Sequence, residues 1–267
     1  LLPDATPTLR VFVSYSRRDM AAADRLVEAL EANGFSVNID RRDLPYGEKW
    51  QNVLFEFIRD CDTVVFLVSE HSVTSQWVTW ELQKVTELKK RLLPVLLDRV
   101  PYEKLPPAIG QVELLPKEGA FDVASHAGTL VQALNTNRVW VMEATQLASR
   151  ARDWLDANKS DALLLRGAAL TRAESWQDKQ PATVAPAEET LELILASRQA
   201  ATRRQRYWVG GSIAVTIGAL ALAGLAYQQR TVAIANEKLA IEQEQIAKQN
   251  EQQAKAERDA TLLTQSR

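Results

Sequence analysis

The sequence predicts an α/β domain with a parallel sheet, followed by a half that is purely helical. Residues 10–135 alternate between two kinds of segment. Some are short and apolar, or alternate apolar with polar residues, as is typical of strands; in the others apolar residues recur at helical spacing. Such alternation favours a doubly wound parallel sheet. The strand pattern ends at about residue 136, and residues 207–229 contain no charged side chain. These observations divide the chain into a sheet domain (10–135), a helical connector (136–206), a membrane span (207–229) and a stalk (230–267).

Four segments of the sheet domain are predicted to be strands. In one of them Phe35, Val37 and Ile39 alternate with polar residues, which is typical of a strand with one buried face. Thr63–Val68 is a continuous run of β-branched, aliphatic and aromatic residues, which is typical of a central parallel strand. The other two segments are Arg10–Tyr15 and Leu92–Leu97.

The helices between these strands are predicted from apolar residues that lie three and four positions apart. Ahead of the first helix, Ser16 and Asp19 have the spacing of a capping box, and Asn33-Gly34 is a typical helix end. The apolar positions of the three helices are Ala23, Leu26, Val27 and Leu30; Val53, Leu54, Phe57 and Ile58; and Trp77, Trp80, Leu82 and Val85.

The connector is predicted to contain two helices, a linker between Pro181 and Pro186, and a last helix over Leu191–Arg206. Its three tryptophans are expected to be core anchors rather than a binding cage. The residues with helical spacing are Val141, Ala144, Leu147, Ala148 and Ala151, then Leu163, Leu164, Ala168, Leu170 and Ala173; the tryptophans are Trp140, Trp154 and Trp176.

Residues 207–229 are predicted to be a transmembrane helix. As a helix these 23 residues span about 34 Å, enough for a hydrocarbon core of about 30 Å. A buried helix of a soluble domain is the alternative. Four arginines lie within the 15 residues before the span, whereas only Arg230 and Lys238 lie within the 15 residues after it. The positive-inside rule therefore predicts that the sheet domain is cytoplasmic. We expect a single-pass protein of the inner membrane. Four small residues share one face of this helix, which favours close approach of a second helix: Gly211, Ala214, Gly218 and Ala221.

The segments at the two ends of the chain are predicted to lie outside the domains. Residues 1–9 are interpreted as a leader with two prolines. In the stalk, Val232, Leu239 and Ile246 recur every seven residues, but position 253 is Gln, so a weak coiled coil and a solvated helix both remain open. No hydrophobic domain follows, and we expect any C-terminal sensor to be absent from this chain.

Composition argues against several classes of function. With 32 Lys and Arg against 34 Asp and Glu, the net charge of −2 argues against nucleic acid as a main partner. The single cysteine, Cys61, excludes an intramolecular disulfide and is expected to be an inert buried thiol. The presence of only two histidines, His71 and His126, argues against a metal site. Glycine-rich phosphate loops, G-x-S-x-G and H-E-x-x-H motifs are absent from the sequence.

Polar residues follow the predicted strands at the edge of the sheet where ligands bind in open α/β folds. Ser14-Tyr15 ends the first strand, a loop over 40–49 follows the second, and Ser69-Glu70-His71 follows the third. Just beyond, Trp77 and Glu81 are four residues apart, so on a helix they share one face. An indole beside a carboxylate can stack on a planar ring and contact a sugar.

Three motifs in this order resemble the boxes of Toll/interleukin-1 receptor (TIR) domains. Val11-Phe12-Val13-Ser14-Tyr15-Ser16 resembles the first box, and Arg42-Asp43-Leu44-Pro45-Tyr46-Gly47 resembles the second, the BB loop. Ser75-x-Trp77-x-x-x-Glu81 resembles the signature of enzymatic TIR domains. The resemblance covers about half of the chain. The connector and the span resemble, more weakly, bacterial TIR proteins that continue into WD-repeat or similar sensors.

The resemblance implies a flavodoxin-like fold with five parallel strands and, for TIR domains with this glutamate, cleavage of NAD⁺ at the nicotinamide–ribose bond. NAD⁺ would be the substrate, and no cofactor is implied. Carried over by motif, Glu81 is the catalytic glutamate, Trp77 contacts substrate, and Ser14 and Tyr15 line the pocket floor. Leu44 to Gly47 would form a mobile loop that gates the site and docks a neighbouring TIR domain.

The chemistry of this cleavage is consistent with a single carboxylate. Most glycosidases use two, because their leaving group needs a proton. Nicotinamide is cationic in NAD⁺ and leaves as a neutral molecule, so Glu81 would only have to bind the ribose hydroxyls and stabilise developing positive charge. The loop carboxylates Asp43 and Glu48 are candidates for a secondary role or are simply solvated.

Two functions therefore remain open. One is a membrane-anchored NAD⁺ nucleosidase in signalling or antiphage defence that is activated when its TIR domains cluster. The alternative is a non-catalytic TIR scaffold, in which Glu81 is an ordinary surface charge. A response-regulator receiver is excluded, because the positions that would need aspartates hold Ser14-Tyr15 and Ser69.

Overall fold

Four parallel strands form the sheet, in the order β2-β1-β3-β4. The computed structural model describes residues 8–39 and 50–265. The strands are β1 (Arg10–Ser14), β2 (Ser36–Ile39), β3 (Thr63–Val68) and β4 (Arg91–Leu96). All four agree with the strands that the residue pattern predicts. The chain divides after Ala201 into two units, the first containing the sheet and the connector.

Helices account for most of the remaining described residues. The α-helices are α1 (Met20–Ala32), α2 (Trp50–Asp60), α3 (Gln76–Glu87), α4 (Pro107–Gly110), α5 (Val123–Asn135), α6 (Arg138–Asp156), α7 (Ala168–Asp178) and α8 (Glu188–Gln265). Short 3₁₀ helices lie at Arg17–Asp19, Tyr102–Lys104 and Asp161–Leu163.

Helices cover both faces of the sheet, as the alternation of side chains along a strand requires. On one face Val13 and Val65 pack in a cluster with residues of α1 and α5. On the other face Phe12 and Val64 pack with residues of α2 and α3. Every residue of β3 is buried, which explains why its sequence is a continuous apolar run.

The family resemblance predicts a fifth strand, and this prediction is wrong for the described residues. Beside β4 the chain makes one isolated parallel bridge, between Val95 and Leu115. The N–H of Leu96 donates to the carbonyl of Leu115 at 2.8 Å, and the N–H of Leu115 donates to that of Pro94 at 2.9 Å. The next residue, Pro116, has no N–H to continue such a ladder.

The start of α1 also differs from the prediction. Neither Ser16 nor Asp19 makes the side-chain hydrogen bond of a capping box. The Asp19 carboxylate instead accepts a hydrogen bond from the hydroxyl of Ser69, 50 residues away. The end of α1 is confirmed: Asn33 is the C-cap, and Gly34 follows with a φ of 80°, which glycine adopts without strain.

Arg91, the first residue of β4, holds the C-terminal end of α5. Its guanidinium donates to the carbonyls of Leu134 at 3.2 Å and Thr136 at 2.9 Å, and also to that of Ala133. The last carbonyls of a helix have no partner within the helix, and the cation also complements the negative end of the helix dipole. Burial lowers the pKa of Arg91 from its ordinary value, but an arginine remains charged.

The connector has its own apolar cluster, built by α6, α7 and the first turns of α8. The rings of Trp140 and Trp176 stack at 4.7 Å between centroids, with 14° between their planes. Each indole N–H donates to the backbone carbonyl of the other tryptophan at 2.9 Å. Trp154 is buried in the same cluster, so the prediction of core anchors is confirmed. The helix predicted from Leu163 begins later, at Ala168.

Cys61 lies where the connector meets the sheet. Its carbonyl accepts hydrogen bonds from Lys90 Nζ at 2.8 Å and from Thr145 Oγ1, on α6, at 3.4 Å. Its thiol is 3% exposed and donates to the carbonyl of Ile58. Burial raises the pKa of the Cys61 thiol to about 11. The prediction of an inert buried thiol agrees with this environment.

We expect the Cys61 thiol to resist thiol reagents in the folded protein. The thiolate is the reactive form, and a rise of about two pKa units lowers its fraction at pH 8 about 100-fold even before steric protection is counted. Labelling by a chromogenic disulfide at pH 8 measures this, with the same protein in denaturant as the control. Equal rates in the two conditions would contradict the buried position.

The second unit, from Thr202, is the remainder of α8. Every described side chain from Thr202 to Lys255 is exposed. Among the described residues, one helix is long enough and apolar enough to cross a membrane, judged by length and composition alone. None of the residues in its most apolar segment is buried. The predicted span, 207–229, lies inside this helix.

Candidate active site

A buried carboxylate lies at the carboxyl edge of the sheet. Glu81 on α3 is 5% exposed, and Ser14 at the end of β1 is 2% exposed. The Ser14 hydroxyl donates a hydrogen bond to Oε2 of Glu81. Two residues 67 positions apart, both singled out from the sequence, are thus brought into direct contact.

The position of Glu81 follows from the way α3 begins. Ser75 caps the helix, accepting a hydrogen bond from the N–H of Val78. Glu81 then falls in the second turn, on the face that buries Val78 and Leu82. Trp77 lies one turn earlier and is 54% exposed. An exposed indole therefore stands one turn from a buried carboxylate on the same helix face.

The loop after β3 is fixed beneath α3 by a hydrogen-bond network. Ser69 Oγ donates to Asp19 Oδ2 at 2.5 Å and accepts from the N–H of Ser72 at 3.0 Å. Ser72 Oγ in turn accepts from the N–H of Ser69 at 2.8 Å. Both serines are fully buried. The sequence indicates Ser69 only as an edge residue, and it indicates Asp19 only as a member of a capping box with Ser16.

The remaining predicted site residues are not part of this contact. Tyr15 is buried in the apolar cluster that α1 and α5 form on the sheet. Leu44 and Gly47 lie outside the described residues, as do Asp43 and Glu48. Their roles remain predictions.

His126 belongs to a helix start rather than to a metal site. Asp122 caps α5 by accepting from the N–H of Ser125 at 3.1 Å, and its own N–H donates to Nδ1 of His126, also at 3.1 Å. The hydrogen bonds from Ser125 lower the pKa of Asp122. Across 8–39 and 50–265, no group of three or more His, Cys, Asp and Glu side chains could hold a metal ion.

Comparison with known proteins identifies the sheet region. Residues 11–127 match the family model described as the TIR domain. Over these residues the chain is similar to TIR domains. The match covers the sheet from Val11 onward, the Ser14–Glu81 contact and the start of α5, and the TIR-type α/β fold that the sequence predicts is confirmed.

Individual relatives resemble this TIR region at lower identity. The "Stimulator of interferon genes protein" of Magallana gigas is 31% identical over 104 residues, which are 37% of this chain and 25% of that protein. The chain therefore spans about a quarter of the length of this curated relative.

Two solved structures are among those to which the chain is similar. The TIR domains of the activated Roq1 resistosome, described as directly recognizing the pathogen effector XopQ, are 16% identical with a TM-score of 0.42, over 48% of this chain and 99% of theirs. The Clostridium botulinum CMP N-glycosidase BcmB is 14% identical with a TM-score of 0.35, over 46% and 98%.

Proposed function

We propose that this protein is a membrane-anchored NAD⁺ nucleosidase that cleaves the nicotinamide–ribose bond when its TIR domains assemble. Glu81 is the catalytic residue, Trp77 contacts the substrate, and Ser14 positions the carboxylate. NAD⁺ is a substrate, and no cofactor takes part. The span at 207–229 anchors the chain, with the TIR domain on the cytoplasmic side of the inner membrane.

One observation carries the proposal: the Glu81 carboxylate is buried and held by Ser14 at the edge of the sheet where α/β folds bind ligands. A carboxylate on a helix surface is normally solvated, and burying one is costly unless it is hydrogen-bonded. In a non-catalytic scaffold Glu81 would be an ordinary surface charge. The burial and the hydrogen bond favour the enzyme over the scaffold.

Cleavage of this bond requires few catalytic groups besides the carboxylate. The nicotinamide ring of NAD⁺ carries a positive charge, and breaking its bond to ribose returns the electron pair to the ring nitrogen and leaves positive charge on the sugar. A carboxylate close to that charge stabilises it without donating a proton. Trp77, exposed one turn away, offers a flat aromatic face for a planar ring.

Ser14 acts through Glu81 and is a positioning residue. A carboxylate accepts several hydrogen bonds, so the one from Ser14 fixes its orientation while leaving it capable of binding ribose hydroxyls. Ser14 ends β1, whose strand hydrogen bonds to β3 fix its backbone. Preorganised orientation of this kind lowers the barrier of the chemical step.

Replacing Ser14 with alanine is expected to lower kcat about 10- to 100-fold and to change KM little. Removing a hydrogen bond to a charged group costs about 1.5–3 kcal/mol, and here the loss falls on the orientation of Glu81. Ser14→Thr keeps the hydroxyl and is the matched control, because threonine suits a strand. Steady-state kinetics on both variants make the comparison, and an alanine variant as fast as wild type would refute the role of Ser14.

The experiment that tests the proposed function compares NAD⁺ with NADH. The full chain is reconstituted in liposomes at rising surface density, and release of the nicotinamide or dihydronicotinamide base is measured. NADH has the same sugar and phosphates, but its dihydronicotinamide is neutral and would leave as an anion. We expect cleavage of NAD⁺ but not of NADH, increasing more steeply than protein density. CMP is included as a third substrate.

Each outcome distinguishes the two functions. Density-dependent release from NAD⁺ alone supports the nucleosidase. No release from any substrate at densities where light scattering shows clustering would overturn it in favour of the scaffold. Preferential cleavage of CMP would assign a different nucleotide.

A further inference from the structure

From Leu225, near the end of the apolar stretch, α8 continues with a line of exposed aliphatic side chains. Leu225, Val232, Leu239 and Ile246 are each more than half exposed, at intervals of seven residues. In a helix a seven-residue interval keeps side chains on nearly the same face. This line has no cover within the described second unit, where every described side chain is exposed.

The same register extends without interruption through the apolar stretch. Counting back by seven from Leu225 reaches Gly218 and Gly211, and the intermediate positions are Ala214 and Ala221. No insertion separates the two halves, so the small and aliphatic residues form one stripe from Gly211 to Ile246, which we call the seam; the same register also includes the polar residues Gln228 and Glu242. At 1.5 Å per residue, the seam is about 50 Å long.

Apart from Glu242, the charges of the stalk lie away from the centre of the seam. Glu244 pairs with Lys248 at 2.7 Å, and Glu251 pairs with Lys255 at 3.2 Å, all on the side of the helix away from the seam. The positions that flank the seam in the stalk are uncharged except for Lys238, so two such helices laid side by side meet no repulsion there. The flanking residues are Thr231, Asn236, Lys238, Gln243 and Gln245.

We propose that the seam binds the seam of a second copy of this chain, as a parallel, in-register pair of helices with a left-handed crossing. A partner must present small residues at the same depth as 211–221 and aliphatic residues in the same register beyond. A second copy inserted in the same direction meets both conditions. The 3.5-residue repeat sets the left-handed crossing of about 20°. The inference rests on the membrane anchoring in the proposed function, but not on NAD⁺ cleavage.

Glu242 limits the strength of this pair. It occupies a seam position between Leu239 and Ile246, so in a parallel pair it faces its own copy. A polar or charged group at such a position lowers the stability of a coiled coil. The pair is therefore weak in the stalk, which is consistent with a protein that assembles only at high local density.

Cysteine crosslinking of the full chain in proteoliposomes tests the seam. Leu239→Cys places a thiol on the seam, whereas Ile241→Cys places one about 200° around the helix. The two residues are matched controls, because both are aliphatic and exposed to similar degrees, 56% and 51%. The native Cys61 is buried and does not interfere. We expect a covalent dimer from position 239 at several times the yield from position 241.

Two further readings separate the possible failures. Equal yields, or a higher yield at position 241, would overturn the seam. Resistance to alkaline extraction reports anchoring independently, and an extractable protein would overturn the membrane-anchored pair even if position 239 crosslinked. Glu242→Leu is expected to raise the dimer yield several-fold over Glu244→Gln, which alters only the outer face, and no difference between them would also count against the seam.

Discussion

Replacing Glu81 with glutamine is expected to lower NAD⁺ cleavage by about 10³-fold without unfolding the TIR domain. Removal of one group that stabilises transition-state charge costs about 10²–10³ in rate at comparable enzyme sites, and here a full negative charge is lost. Glutamine has nearly the same shape, and its amide oxygen still accepts a hydrogen bond from Ser14. The loss should therefore appear in kcat, while thermal unfolding changes little.

The matched control is Glu87→Gln on the same helix. Glu87 is about half exposed and pairs with Lys84 at 2.6 Å, away from the Ser14 contact. Its loss removes a surface ion pair, which contributes about 0–1 kcal/mol. Both variants are assayed for nicotinamide release at equal liposome density. A Glu81→Gln protein as active as Glu87→Gln would remove Glu81 from catalysis.

Replacing Trp176 with alanine is expected to destabilise the first unit by about 3–5 kcal/mol, the range for truncation of a buried tryptophan. The variant loses the stacking on Trp140 and the hydrogen bond from the Trp176 indole N–H to the carbonyl of Trp140, whereas the bond from the Trp140 indole to the backbone carbonyl of residue 176 can remain. For a unit of this size, each kcal/mol shifts Tm by about 2–4 °C. Thermal unfolding should therefore show a drop of roughly 10 °C.

The control for this prediction is Val139→Ala, also in α6 and adjacent to Trp140. Val139 is 77% exposed, so its truncation should change Tm by less than about 2 °C. Trp176→Phe separates the two parts of the tryptophan contribution, because phenylalanine keeps an aromatic ring but donates no hydrogen bond. Similar unfolding temperatures for Trp176→Ala and wild type would show that the tryptophan pair does not hold the connector together.

The local pattern of apolar residues was sufficient to predict the strands and helices that bury one regular face. The alternation of Phe35, Val37 and Ile39 and the continuous run Thr63–Val68 each gave a strand at the right place. The fifth strand was expected from the family resemblance alone, and no segment of the sequence shows a strand pattern for it. One bridge at Leu115 takes its place, because the following proline cannot donate.

The candidate site shows the same limit. Spacing on α3 was enough to put Trp77 and Glu81 on one face, but not to show that Ser14 donates to Glu81 from a strand 67 residues earlier. Asp19 satisfied a local capping pattern, yet its carboxylate bonds to Ser69 instead. A serine–carboxylate contact between distant elements has no periodic signal, because it depends on strand order and on the height at which each strand ends.

The coil that replaces the fifth strand also restricts how TIR domains of this kind can associate. Strand addition from another molecule needs a row of unpaired backbone groups along an edge. In the second half of β4 that row is occupied: the carbonyl of Leu115 accepts from the N–H of Leu96, the N–H of Phe121 donates to the carbonyl of Leu96 at 2.6 Å, and Pro94 has no N–H. Strand addition from another molecule is therefore blocked along the second half of β4, and contacts there must be made by side chains rather than by the backbone.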